Sequence, residues 1–336
     1  MDGAARARLM AWLGETLGKR VISVDHRRLA GGAIQENLDL AVEIAGGEIL
    51  HVVLRRDAPA TIPTSRSRAE EFHVLEAMQK AGIAVPAPIA LCTDPAVLGG
   101  SFFLMQLVSG VADPRRLVRD DNLIPDRIAF GTALGAELAR IHAVRLPRPD
   151  LAFLGAPPTD LPGSRIQGYR AALDRLGTPQ PAIEWVLRWL ERHRPSPNQP
   201  TLIHGDYRIG NIMVAEGKIA AVLDWEFASW GDPDEEIGWL CARCWRFGRP
   251  DRAAGGVAAR ADFYRGYEAV SGRRIAAGQI PYWEAMAATR WAIIALEQGA
   301  RHLAEQEPGL EAALSGRMAP QLAAEAMAVI AAIEHA

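Results

Sequence analysis

The stretch ENLDLAVEI, from residue 36, sets Leu38, Leu40, Val42 and Ile44 against Asp39 and Glu43. That alternation predicts a half-buried strand, because successive side chains of a strand point to opposite faces. AGGE at 45–48 reads as a turn, and ILHVVLR pairs back from it as a hairpin. VPAPIALC and SFFLMQLV add two further strands. Residues 4–18 read as a short helix, and helical spacing over 65–81 predicts another, which Gly82 can terminate. After Gly110, Ala, Leu and Arg recur at helical spacing over 125–145, 164–176, 181–194 and 257–335, with prolines punctuating the joins. The pattern predicts an α+β chain: a small antiparallel-sheet lobe over 1–108, then a larger helical lobe over 109–336.

One segment of the second lobe breaks the pattern. LIHGDYRIGNIMV, residues 202–214, sets His204, Asp206, Arg208 and Asn211 between two apolar runs, and AAVLDWE follows with a second carboxylate, Asp224. A loop leading into a short hairpin can return Asp224 to the neighbourhood of Asn211. Two carboxylates about 4 Å apart repel by roughly 4 kcal/mol at an effective dielectric of 20, so a cation or a proton is expected among them. Oxygen ligands without cysteine favour a hard cation such as Mg²⁺ over zinc. Asn211 can ligate through its carbonyl without adding charge, while Asp206 can accept a proton from an attacking hydroxyl. That division of labour fits phosphoryl transfer from a magnesium-bound nucleotide. HGDYRIGN also keeps the Asp-to-Asn spacing of the protein-kinase pattern H-R-D-L-x-x-x-N, with Gly205 in place of the arginine.

HGDYRIGN followed by VLDWEFASWGDP resembles the catalytic core of the aminoglycoside phosphotransferase and choline kinase-like family. The resemblance extends over nearly the whole chain and implies a two-lobed protein kinase-like fold. It implies Asp206 as catalytic base, His204 orienting the loop, and Asn211 and Asp224 as magnesium ligands. Glu236 stands where relatives often carry an aspartate that braces this loop.

A kinase-type site needs a cation on the nucleotide phosphates, normally a third-strand lysine paired with a helix glutamate. No lysine lies between residues 20 and 79; Arg55, at the end of HVVLR, takes the position. This resembles the kinase-like domains fused to some acyl-CoA dehydrogenases. Glu71, Leu75 and Met78 share one helix face, which directs Glu71 rather than Glu70 toward Arg55. Gly31 and Gly32 are candidates for a loop over the phosphates, and the backbone of Gln106, Leu107 and Val108 for the adenine edge. ATP and Mg²⁺ are the implied cofactors, and the implied partner is a small-molecule alcohol acceptor.

Trp283, Arg290, Trp291, Glu297 and Arg301 lie in the late helices, where this family builds its acceptor pocket. Arg290 and Arg301 would suit an anionic acceptor better than a polyamine, although GDPDEEIG supplies acids. CARC at 241–244 lacks the second cysteine pair or histidines of a zinc site, and GWLCARCW reads as helix with Cys241 and Cys244 on one packed face.

Bulk composition changes little. The net charge of −3 gives no nucleic-acid footprint. No run of about eighteen apolar residues predicts a membrane span, and the charged first twenty residues lack the apolar stretch of a secretory signal. Three cysteines argue against a disulfide framework, so a cytoplasmic setting is expected. Oligomeric state is not encoded in these patterns. Two rival readings remain: a catalytically idle kinase-like module that binds nucleotide or a partner, and a metal-dependent hydrolase using His204, Asp206 and Asp224.

Overall fold

The computed structural model describes residues 1–29, 35–57, 65–306 and 309–335. Its internal contacts divide the chain into two compact units. The first is Met1–Ser109 with Pro149–Phe153 and Ala220–Ala228; the second is Gly110–Arg148, Leu154–Ile219 and Ser229–Ala336.

The first unit opens with α1 (Gly3–Leu17), started by the Asp2 side chain accepting from Ala5 N and ended by Gly18 in the left-handed region, φ 62°. Strands β1 (Val21–Arg28), β2 (Gln35–Ile44) and β3 (Ile49–Asp57) form an antiparallel meander. Helix α2 (Arg68–Lys80), strand β4 (Pro88–Cys92), the short α3 (Pro95–Leu98) and β5 (Phe102–Gln106) complete the unit's main elements, and the sheet order is β1-β2-β3-β5-β4. Leu38, Leu40, Val42 and Ile44 are all buried, as the alternation requires. They join Leu54, Phe102, Leu104 and the α1 residues Leu9 and Leu13 in one core. Arg55 and Phe103, paired in register, sit on the opposite face, where the Phe103 ring meets Phe72 of α2 at 5.8 Å. A period of two thus sends Leu54 into one core and Arg55 toward α2.

A capping box starts α2. The Ser67 hydroxyl accepts from Glu70 N at 3.2 Å while the Glu70 carboxylate accepts from Ser67 N at 3.0 Å. Glu70 is therefore spent at the helix end, and Glu71, one residue on, is buried with Leu75 and Met78.

The second unit contains α4 (Pro114–Arg119), α5 (Arg127–His142), α6 (Leu161–Leu176) and α7 (Pro181–Arg192), then β6 (Thr201–Ile203) and β7 (Ile212–Ala215). Strand β8 (Lys218–Val222) pairs with β7 and carries the chain into the first unit; β9 (Ser229–Gly231) returns to pair with β6. Helices α8 (Pro233–Cys241), α9 (Arg260–Ser271), α10 (Ile280–Leu303), α11 (Leu310–Gly316) and α12 (Ala319–Glu334) follow. Helix α5 crosses α9 at glycines, since a Cβ at Gly135 would collide with the Phe263 carbonyl and one at Gly266 with the Thr132 carbonyl. Helix α8 presses on α10 in the same way, Gly238 against Trp283.

GWLCARCW is not one helix. Helix α8 stops at Cys241, Ala242 is extended (φ −58°, ψ 145°), and a 3-10 turn spans Arg243–Trp245. Arg246 Nε and Nη2 donate to the Cys241 carbonyl at 3.0 and 2.7 Å, which satisfies the helix end where the chain departs. Cys241 is buried and Cys244 partly so, and all three cysteines are unpaired. Among the described residues, no helix is long and apolar enough to cross a membrane.

Candidate active site

The segment 204–211 is built on fixed backbone. Strand β6 delivers His204, fully buried, and Gly205 turns the chain with φ 83°, a conformation costly for a residue with a Cβ. The Asp206 N–H donates to His204 Nδ1 at 3.1 Å, so the ring proton belongs on Nε2. The Tyr207 hydroxyl donates to the Leu134 carbonyl at 2.9 Å, tying the loop to α5. A 3-10 turn at Ile209–Asn211 then leads into β7.

Helix α8 grips this loop twice. Asp232 caps the helix by accepting from Asp234 N at 2.9 Å, and Asn198 Nδ2 donates to Asp232 at 2.9 Å. One turn in, the Glu236 carboxylate accepts from His204 N at 3.0 Å and from Gly205 N at 2.7 Å. Three residues later, on the same face, Trp239 Nε1 donates to Asp206 Oδ1 at 2.9 Å. Behind Glu236 stands a buried relay: His142 Nε2 at 3.1 Å, His142 Nδ1 to the Tyr267 hydroxyl at 2.8 Å, and Arg273 bridging Tyr267 and Asp234. Burial alone would raise the Glu236 carboxyl; the His142 hydrogen bond and charge and the backbone donors outweigh it and hold it below the ordinary value.

The Asp206 carboxylate is fully engaged. Besides Trp239, Asn211 Nδ2 donates to Oδ2 at 2.7 Å, and Arg208 Nε lies 3.1 Å from both oxygens. A carboxylate offers about four lone-pair sites, and these donors fill them. Arg208 folds back across Gly210, where any Cβ would collide with its guanidinium, and its Cζ lies 4.9 Å from the centroid of the Trp245 ring. Asn211 Nδ2 also donates to the Asp206 carbonyl at 2.9 Å. Both partners of that nitrogen are pure acceptors, so the amide oxygen must face the other way. Its orientation suits a metal ligand.

The first unit holds a different cluster. Arg55, buried, donates from Nε to Glu71 at 2.9 Å, from Nη1 to Asn37 at 3.3 Å and from Nη2 to Asp224, with Glu226 4.0 Å away. Arg68, also buried, pairs with Glu71 and lies 3.6 Å from Glu226 and 2.9 Å from Asp57. Gln35 Nε2 at 2.8 Å and the Ser65 hydroxyl complete the Glu226 shell. Asp224 adopts φ 70°, ψ 61°, a left-handed conformation unusual for a residue with a side chain, and is the most exposed carboxylate among Glu71, Asp224 and Glu226. Burial by itself would lower the Arg55 pKa, but Glu71, Asp224 and Glu226 outweigh it and keep the guanidinium charged. Glu226 is pushed up, first by burial and then by the Asp224 charge. Two guanidiniums, Arg55 and Arg68, thus face four carboxylates, of which Asp57 and Asp224 are the more exposed.

Of the residues singled out in the sequence, Asp206, His204 and Asn211 come together in the second unit, and Arg55, Glu71 and Asp224 in the first. Gln106 closes β5, its N–H donating to the Ala87 carbonyl at 2.8 Å, with Leu107 and Val108 following outside the strand. Gly31 and Gly32 lie outside the described residues. Arg290 and Trp291 join Trp239 and Trp245, whereas Glu297 pairs with Arg175 at 3.5 Å, Arg301 sits in the last turn of α10, and Trp283 is packed in the core. Trp239, Arg68, Glu226 and the fold-back of Arg208 were not anticipated. Only Trp239 carried a signal, its i+3 spacing from Glu236. Among the described residues, no three His, Cys, Asp or Glu side chains are disposed to hold a metal by themselves.

Residues 25–273 match the phosphotransferase enzyme family. The chain belongs to this family. It is 31% identical over 201 residues to acyl-CoA dehydrogenase family member 10 of Mus musculus, an alignment covering 56% of this chain and 18% of that protein. The chain thus corresponds to a small part of that relative's length. A crystal structure of a candidate aminoglycoside phosphotransferase from Ralstonia eutropha JMP134 superposes with a TM-score of 0.77 at 23% identity, covering 96% of this chain and 97% of the other. The APH(2″)-IIIa complex with GDP and kanamycin superposes with a TM-score of 0.62 at 14% identity, covering 94% and 98%. The kinase-like α+β fold is common to this phosphotransferase and both structures.

Proposed function

We propose that the protein transfers the γ-phosphoryl group of ATP to a hydroxyl of a small molecule. The observation that carries this reading is the Asp206 carboxylate held by Trp239 and Asn211, with the Asn211 amide oxygen turned away from it. Nucleotide use is supported by a fold neighbour that carries GDP.

In this reading Asp206 accepts the proton of the acceptor hydroxyl and aligns the oxygen for attack. The hydroxyl must displace one of the donors already on the carboxylate. Arg208 is the one to move, because Trp239 and Asn211 are buried whereas Arg208 keeps a quarter of its side chain exposed (26%). Glu236 holds the 204–205 backbone so that the base does not recoil. Asn211 would supply an amide oxygen and Asp224 a carboxylate oxygen to Mg²⁺, which when bound neutralises charge on the phosphates. Arg55 would exchange a protein acceptor, Asn37 or Asp224, for a phosphate oxygen. The unpaired cysteines support a reducing, cytoplasmic setting.

The ion pair between Arg208 and Asp206 favours a second reading, an idle nucleotide-binding module whose base is permanently covered. One assay separates the two. Release of ADP from Mg²⁺-ATP is followed across a library of alcohols, and Asp206→Ala is expected to lower turnover by roughly 10²–10⁴. Full activity in that variant removes the assigned base, and no acceptor-dependent ADP from the parent protein favours the idle module.

A further inference from the structure

Most of the arginines packed beside the 204–211 loop are paired with acids. Arg208 lies on Asp206, Arg165 on Glu235 at 2.9 Å, Arg273 on Asp234 at 2.6 Å, and Arg246 and Arg260 share Glu284. Arg290, on α10, has no carboxylate within ion-pair distance among the described residues. Its guanidinium carbon lies 4.3 Å from the centroid of the Trp239 ring, the same indole whose N–H holds Asp206. The side chain is half-buried, with the indole rather than a carboxylate on one side. Tyr169 faces it but is no counter-charge: burial pushes that phenol up to about 12 although Arg290 draws it down, so it stays neutral. Glu235, whose charge also acts on that phenol, is already bound by Arg165. Trp245 stands 5.1 Å from both Trp239 and Trp291, extending an apolar wall from the indole that separates Arg290 from Asp206.

We infer that Arg290 is the anion-recognising residue of the acceptor site, and that the acceptor is an alcohol carrying a carboxylate or phosphate several bonds from the reacting hydroxyl. This inference rests on the phosphotransfer reading of Asp206. With Arg208 displaced from Asp206 and from the Trp245 ring it covers, the hydroxyl sits at Asp206, the indole of Trp239 spaces the anionic end to the guanidinium, and the wall of Trp245 and Trp291 receives the chain between them. A polycationic acceptor would set its charges against Arg290 and Arg208, so aminoglycosides are disfavoured.

The test reads binding at the indole itself. The Trp239 Nε1–H resonance in ¹⁵N spectra, assigned by its loss in Trp239→Phe, is followed while 6-hydroxyhexanoate, 6-hydroxyhexyl phosphate, 6-hydroxyhexanamide or kanamycin is added. A saturable shift is expected with at least one of the two anions and with neither of the others, and the tighter of the two anions identifies carboxylate or phosphate as the group recognised. Arg290→Gln should weaken that binding at least tenfold, with partial recovery in Arg290→Lys; the remaining indole resonances report whether each variant is folded. The inference is overturned if neither anion gives a saturable shift, if the amide or kanamycin binds as well as the anions, or if Arg290→Gln binds the anions like the parent. Anion binding lost in Arg290→Gln, together with no ADP release from Mg²⁺-ATP with any acceptor, would keep the anion site and discard the phosphotransfer reading instead.

Discussion

The two polar clusters solve opposite problems. Around Arg55, buried charge is compensated mostly by buried charge: two guanidiniums are shared among Glu71, Asp224 and Glu226, with the more exposed Asp57 on Arg68. Around Asp206, one carboxylate is held mainly by neutral donors, an indole and an amide, with a single arginine at its open side. The first arrangement responds to any added charge. The second fixes one oxygen pair in space and lets one donor move. In the proposed function, the contrast corresponds to a division between holding a charged co-substrate and orienting an uncharged hydroxyl.

The largest effect should come from breaking the charge-dense cluster. Glu71→Ala leaves two buried guanidiniums short of an acceptor, and about 3–5 kcal/mol of stability is expected to be lost. Urea unfolding measures it, and a loss below about 1 kcal/mol would mean that water screens the network. Trp239→Phe removes one neutral donor from a charged acceptor and should cost about 1.5–3 kcal/mol in the same measurement. If it costs as much as Glu71→Ala, the two clusters do not differ as described.

Two buried glutamates then sharpen the comparison through pH. Glu236 is shifted down, so its contribution is present above the ordinary carboxylate range and is lost as pH falls through its folded value. Glu226 is shifted up, so its contribution is present at low pH and is lost as pH rises through its folded value. Glu236→Gln should therefore destabilise at pH 7 and converge with the parent in acid. Glu226→Gln should be neutral or stabilising at pH 7. Unfolding curves at neutral and acidic pH check both, and equal behaviour of the two variants would contradict the opposite directions. The smallest effect belongs to Arg208. Displacing a partly exposed ion pair costs about 0.2–1 kcal/mol, so Arg208→Met should lower KM for a neutral alcohol by no more than about fivefold. An unchanged or higher KM would mean that the acceptor does not displace this arginine.

How much of this was legible depended on how far apart the partners lie along the chain. HGDYRIGN is contiguous, and its loop positions its own Asp and Asn. Glu71 was legible because an apolar helix stripe selects one of two adjacent acids, and the capping box accounts for the other. The Glu226 shell was not, because Gln35 and Glu226 stand 191 positions apart and nothing local marks either as polar and buried. The break at Ala242 was missed because no proline or glycine announces it; the cap comes from the Arg246 side chain.

The sequence by itself determined the elements and their inward faces, since period and turn chemistry act over a few residues. It determined too that a carboxylate, an amide and a second carboxylate follow one another at the spacing of the kinase pattern. Tertiary structure alone decided that Asp224 and Glu226 belong with the Arg55 sheet. It alone decided that Trp239 holds Asp206 and that Arg290 meets an indole and, among the described residues, no acid. The physical reason is that hydrogen bonds and ion pairs depend on distances of a few ångströms, which only the packed chain assigns to residues far apart in sequence.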